Sequence, residues 1–231
     1  MAQVQICRGF GHKDWQALSQ RLLAGDAVQQ KERDWHRAVE VFDRRMRERF
    51  FTCIEALEAV PIPEYAPVPD DPDPDRLLPG ENPATGFAIM ALCCPLIETL
   101  QTFRTGSFCG TRQAFIAFLK ECLAFTGPEA ERFEDGIRNG ILHNAKTREW
   151  IIRRDVPKDR IVERERNLYV LNRTLFCKEL RDWFRSYIKQ LADPIKNDLR
   201  KNFIVGMQHI VDRCDGTVKQ SPDRPIHLPI D

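Results

Sequence analysis

No apolar stretch in this chain of 231 residues reaches the ~18 residues of a membrane span. The longest candidate, residues 86–100, is short and contains Cys93, Cys94, Pro95 and Glu98. The opening residues, Met1-Ala-Gln-Val-Gln-Ile-Cys7, lack a charged lead followed by an apolar run, so no secretory signal is expected. The expected setting is the cytoplasm, with no membrane partner. The eight cysteines (Cys7, Cys53, Cys93, Cys94, Cys109, Cys122, Cys177 and Cys214) include no pair at Cys-x-x-Cys spacing. No Cys/His cluster fits a zinc template either, so neither a metal site nor a cofactor is expected. Most of these thiols fall inside apolar helical patterns, where free cysteine packs as a small hydrophobe. No internal repeat is present.

Charge of one sign is also scarce, at a net +1, but its distribution is uneven. Residues 146–213 hold 17 Lys/Arg against 10 Asp/Glu, and the rest of the chain holds 18 against 24. A basic C-terminal half can attract nucleic acid, and a solvated helical surface gives the same count.

What is abundant is helical periodicity. A short amphipathic helix over about residues 13–24 carries Trp15, Leu18, Leu22 and Leu23 and makes residues 1–30 an N-terminal helical extension. A long helix comes next over about 29–59, with Trp35, Ala38, Phe42, Met46, Phe50, Ile54 and Leu57 on one stripe. The signal stops between Pro61 and Pro79, where seven prolines and five acidic residues predict an extended surface loop over 61–81. Asn82-Pro83 is a helix-start signal. The helix after it, to about 104, is apolar on most sides and should be the most buried, with a kink expected at Pro95.

Gly106 and Gly110 mark the next break, and a helix over about 111–125 buries Phe115, Phe118 and Leu119. After Gly127-Pro128 a further helix runs over about 129–147. Residues 149–154 and 167–171, rich in aromatic and branched side chains, read as the two strands of a β-hairpin spanning 149–171. Two helices close the chain, over about 173–192 with Asn172 as N-cap and about 194–213, before a polar tail at 214–231. The fold class is all-α: a helical bundle over 31–213 with a small β-hairpin insertion.

The chemistry concentrates in residues 133–147, Phe-Glu-Asp-Gly-Ile-Arg-Asn-Gly-Ile-Leu-His-Asn-Ala-Lys-Thr. At roughly 100° per residue, Phe133, Ile137 and Ile141 stack toward the core. Gly136, Asn139, Gly140 and His143 share another stripe. Each glycine there costs about 1 kcal/mol relative to alanine, so the pair four apart needs a reason. Close approach of another backbone is one, and a second copy of the chain is the expected partner, with Gly136 and Gly140 at a dimer interface. Asn139 and His143, four apart, can hydrogen-bond. Arg138 lies about 140° around the helix from His143.

Arg138-Asn139-Gly-Ile-Leu-His143 resembles the Arg-polar-x-x-x-His signature of HEPN-domain ribonucleases, and the upstream helices are similar in order. The resemblance covers roughly residues 30–213, with only the motif diagnostic. It implies a HEPN-like bundle, a homodimer with facing motifs, and metal-free cleavage of RNA in which the ribose 2′-hydroxyl attacks the adjacent phosphate. His143 would transfer the proton, since an imidazole titrates near ~6.5 when unperturbed. Arg138 would hold the scissile phosphate, and Asn139 would position His143 or the phosphate. Lys146 is a candidate RNA contact. Some HEPN toxins that pair with a small nucleotidyltransferase carry Tyr two residues after the histidine. This chain has Asn144-Ala145 there, so control through such a Tyr is not expected.

Each residue also has a plainer explanation. Arg138 can pair with Glu134 one turn earlier as a surface ion pair of little energetic weight. His143 can be a satisfied interface histidine. His12, His36, His209 and His227 show no partner pattern. The expected function is an RNA endonuclease, a toxin or anti-phage effector with a restraining partner protein. The alternatives are a non-catalytic module binding RNA, nucleotide or protein, and a helical scaffold docking through its acidic proline-rich loop.

Overall fold

The computed structural model describes residues 5–24, 28–61, 85–107, 110–144 and 146–214. The proline-rich loop after Pro61, the Asn82-Pro83 start signal and the tail after Cys214 lie outside the described residues. The chain is mostly helical. Strands β1 (Gln5–Cys7) and β2 (Phe10–Gly11) precede α1 (His12–Leu23). A continuous helical rod then runs through α2 (Val28–Met46), a π turn (Arg47–Phe51) and α3 (Thr52–Glu58). α4 (Thr85–Thr105) and α5 (Arg112–Cys122) come next. A second interrupted rod comprises α6 (Gly127–Phe133), a π turn (Glu134–Asn139) and α7 (Gly140–Asn144). β3 (Trp150–Arg153), β4 (Val162–Glu165), β5 (Leu168–Asn172), α8 (Arg173–Ala192) and α9 (Asn197–Cys214) complete the order.

The first rod shows how a π turn redirects a helix. An i→i+5 turn admits one extra residue, so the buried stripe slips by one position. Up to Met46 the buried residues keep the 3.6-residue period; after the π turn Phe51, and not Phe50, is buried, and then Ile54. Phe50, expected on the stripe, is only partly buried against the core for this reason.

Aromatic rings knit the core. Phe42 on α2 lies 4.3 Å from Phe103, 5.4 Å from Phe203 and 5.9 Å from Phe184, centroid to centroid. α9 approaches α4 closely because residue 206 is glycine: a Cβ there would sit 2.7 Å from Phe103 Cδ1. α1 is not an appended extension. Trp15 and Leu18 are fully buried, and the Trp15 ring meets Phe203 edge-on at 5.9 Å. The β1–β2 pair that precedes it also contributes Ile6 and Cys7 to the same core.

α4 packs against α3, α5, α7, α8 and α9. At 21 residues it is long and apolar enough by composition to cross a membrane, unlike the shorter run read from the sequence, but half of its apolar window is buried among these neighbours. Cys7, Cys93, Cys94 and Cys177 are buried, and Cys53 is exposed.

The sheet departs from the expected hairpin. β3 pairs with β5 in parallel, Trp150 opposite Tyr169, while β4 pairs with β5 antiparallel, Val162 opposite Leu171. The spatial order is β3-β5-β4, and the tight hairpin is β4–β5. Residues 149–154 and 167–171 are both extended, but the connection between them contains a third strand.

Replacing Trp15 with alanine tests the integration of α1. Loss of a fully buried indole is expected to destabilise the fold by about 3–5 kcal/mol in urea denaturation. A peripheral extension would change stability by no more than about 0.5 kcal/mol.

Candidate functional site

Local sequence explains how the motif helix is held. Thr126 caps α6 and Glu129 returns a bond to the Thr126 N–H, a reciprocal capping box, with Pro128 in the first turn. Phe133 then anchors the helix in a second aromatic cluster, 5.4 Å from Phe176 and 5.5 Å from both Phe125 and Trp150. The helix widens into its π turn immediately afterwards, and Glu134, Arg138 and Asn139 all belong to that turn. Single π turns occur often at functional sites.

The centre of the arrangement is Glu134, whose carboxylate is 1% exposed. Its Oε1 accepts from Arg138 Nη1 at 3.2 Å and Asn139 Nδ2 at 2.9 Å, and its Oε2 accepts from Arg112 Nε, at the start of α5, at 2.9 Å. Arg138 reaches across to α4, where Nε and Nη2 both lie 2.6 Å from Glu98 Oε1. Its Nη1 also donates to Asn139 Oδ1 at 3.0 Å, and its guanidinium lies 5.5 Å from the Phe115 ring centroid. The Arg138 side chain is 16% exposed. The expected surface pair between Arg138 and Glu134 is therefore a buried one. Breaking such a pair from one side leaves an uncompensated charge, at a cost of about 3–5 kcal/mol.

Asn139 has both ends of its amide engaged inside this network, and no bond to His143 forms, contrary to the expected Asn139–His143 hydrogen bond. His143 lies one turn further along on α7, exposed, with no hydrogen bond to any described residue. Lys146 is exposed as well, and its ammonium makes no ion pair with any described residue. The structure thus brings Arg138 and Asn139 together with Glu134, Glu98 and Arg112, and leaves His143 and Lys146 on the adjoining surface.

The glycine stripe is covered from within the chain. A Cβ on Gly136 would lie 2.5 Å from Trp150 Cδ1, and one on Gly140 would collide with the Lys146 carbonyl oxygen. The Lys146 N–H closes the end of α7 on the Gly140 carbonyl at 3.1 Å, and Trp150 Nε1 donates to the Arg132 carbonyl at 3.0 Å. Both glycines are buried. The close backbone approach that they permit is made by residues 146–150 of the same subunit, which corrects the expected dimer contact at Gly136 and Gly140.

Chemically, the network pairs two guanidiniums with two carboxylates. Neighbouring Cys94 is no nucleophile: burial pushes its thiol up to about 12, with Arg138 pulling it down and Glu98 pushing it up. Among the described residues no group of three His, Cys, Asp or Glu side chains is arranged to hold a metal ion. Part of the basic surplus of residues 146–213 is met by acids from elsewhere in the chain: Arg148 pairs with Asp135, Arg181 with Glu58 and Arg200 with Glu32. Sequence reasoning missed Glu98 and Arg112 as members of the site. Glu98 carried a signal, as a charge within an apolar helix that must find a partner. Arg112 carried none.

No protein-family model, curated protein or solved structure matches this chain. The HEPN resemblance is accordingly carried by the motif and its setting.

Two substitutions test this geometry. Gly140→Ala is expected to lower stability by about 1–3 kcal/mol in chemical denaturation without changing the sedimentation coefficient. A changed oligomeric state at unchanged stability would restore the intermolecular contact. Glu134→Ala strips the shared acceptor from three donors, and a loss of about 3–5 kcal/mol is expected, read from the denaturation midpoint.

Proposed function

We propose that the chain is a metal-independent RNA endonuclease of the HEPN kind. The observation that carries this reading is the contrast within the motif. Glu134, Arg138 and Asn139 satisfy one another, Gly136 and Gly140 accommodate the residues that cover them, and the His143 imidazole is exposed with no side-chain partner among the described residues. An exposed imidazole beside a fixed guanidinium network suits proton transfer at a phosphodiester.

In the proposed reaction the ribose 2′-hydroxyl attacks the adjacent phosphorus, the bond to the 5′-oxygen breaks, and a cyclic phosphate and a 5′-hydroxyl result. Neutral His143 accepts the 2′-hydroxyl proton, or its imidazolium protonates the departing oxygen. The nucleophile belongs to the substrate, so the chain need supply only proton transfer and charge stabilisation of the phosphate. A second copy of the chain would meet the exposed Leu142–His143 edge in place of the covered glycines. A cytoplasmic role as a toxin or anti-phage effector held in check by an inhibitory protein belongs to the same proposal and rests on the class alone.

One observation favours a second reading, an RNA-binding or nucleotide-binding module without cleavage. Arg138 is engaged by Glu98, Glu134 and Asn139, an arrangement that a purely structural arginine would also adopt.

Labelled single-stranded RNA incubated with the protein in EDTA separates the two. Cleavage is expected to persist in EDTA and to fall by about 10²–10³ in His143→Ala and in Arg138→Ala. His143→Ala should leave the melting temperature unchanged, while Arg138→Ala should lower it. Cleavage undiminished in His143→Ala sinks the nuclease reading, and RNA retention without cleavage supports the second.

A further inference from the structure

Resting on the nuclease reading, we infer that the substrate phosphate is received by Arg112, and that Arg138 acts as a positioning residue. A guanidinium offers five N–H groups, and bidentate capture of a phosphate uses two of them side by side. Arg138 donates Nε to Glu98 and Nη1 to Glu134 and Asn139, and its Nη2 lies 2.6 Å from the same Glu98 oxygen. What remains is on Nη2 alone, against Glu98, and cannot form a fork from two nitrogens. Phe115 lies against the guanidinium as well. To bind a phosphate with Arg138, the substrate would first have to displace a carboxylate from a mostly buried cation.

Arg112 is in the opposite condition. It uses Nε alone, on Glu134 Oε2, and its Nη1 and Nη2 have no hydrogen bond to any described residue. Its side chain is 56% exposed. The fork is therefore free and faces solvent, while the buried carboxylate at its base restrains the stem. Such support reduces the rotamer freedom lost on binding, which is the usual handicap of a long cationic side chain. Because Glu134 holds Arg112 by one oxygen and Arg138 by the other, the two guanidiniums flank one carboxylate. Arg138, Asn139 and Glu134 thereby fix the place from which Arg112 reaches the phosphate, with Lys146 as a second cation on the motif's surface that no described acid pairs. The roles are separable because only Arg112 has a two-nitrogen fork to give.

The test uses the full chain and two probes: a fluorescent single-stranded 12-mer fully 2′-O-methylated, which cannot be cut by 2′-hydroxyl attack, and the unmodified RNA of the same sequence. Binding of the first is measured across salt concentrations, and cleavage of the second in EDTA. Arg112→Gln is expected to weaken binding about tenfold, to lower the salt slope by about 0.7, the share of one phosphate contact on a single strand, and to melt lower, because Glu134 Oε2 loses its charged donor. Arg112→Lys should recover the slope through its charge but not the full cleavage rate, since it lacks the fork. Arg138→Gln should melt lower and keep the wild-type salt slope. If wild-type protein binds and cuts RNA while Arg112→Gln matches it in affinity and slope, the assignment of Arg112 is overturned and the nuclease reading stands. A salt slope reduced in Arg138→Gln and not in Arg112→Gln overturns it equally. Wild-type protein that neither binds nor cuts RNA overturns both.

Discussion

A carboxylate taken out of water must have its charge offset and its oxygens bonded, or the desolvation penalty outweighs what the surrounding packing supplies. Glu134 sits in that position between α4, α5 and the aromatic cluster around Phe133, and three donors from two segments converge on it. The rest of the local structure is a consequence. Arg138 must turn inward to reach Glu134, and once inside it needs Glu98 for its remaining face. Asn139 supplies what neither ion can, a donor for the carboxylate and an acceptor for the guanidinium in one side chain. The Arg-Asn pair is thus required by the fold before any chemistry is considered, and His143 is the residue whose presence the fold does not demand.

That division changes how the motif is weighed. A short signature is persuasive when its residues lack other reasons to exist, and two of these three have one. The glycines likewise have an internal explanation, the collision that a side chain would make with Trp150 or with the Lys146 carbonyl. A stripe of small residues reveals that something approaches closely. Whether that is the chain itself or a partner depends on the path of the chain after the helix, and here residues 146–150 fold straight back.

Much of the fold is legible in the sequence because helical burial leaves a 3.6-residue trace. α8 with its Asn172 cap, α5 with its phenylalanines and α4 as an apolar rod can all be read from spacing and cap chemistry. The features that escape do so for physical reasons. A π turn adds a single residue and shifts the stripe, as at Phe50 and Phe51, with no residue type to announce it. β4 is Val-Glu-Arg-Glu, with only Val162 buried, so a strand that covers one edge of a small sheet reads as loop. The site is legible only in part. Residues adjacent in sequence are visible as a motif, but Glu98 and Arg112 come from other helices, and a buried Glu134 looks like a surface charge until its neighbours are known.

The electrostatics of the site argue for discrimination by fit over attraction at a distance. Glu98 and Glu134 match Arg138 and Arg112 in number, and Arg148, Arg181 and Arg200 are each paired with an acid from another part of the chain. Paired charges cast little field beyond a Debye length of about 8 Å at physiological salt, so a polyanion gains little by approaching this surface at random. A ligand must instead place an anionic group where an N–H is still free, and around the motif the described residues offer few such positions: the fork of Arg112, the ammonium of Lys146 and the ring of His143. Arg112 is tied to the buried network through Glu134, and the other two lie on the short helix and the bend that follow the wide turn, so recognition at this surface would depend on contact geometry more than on net charge.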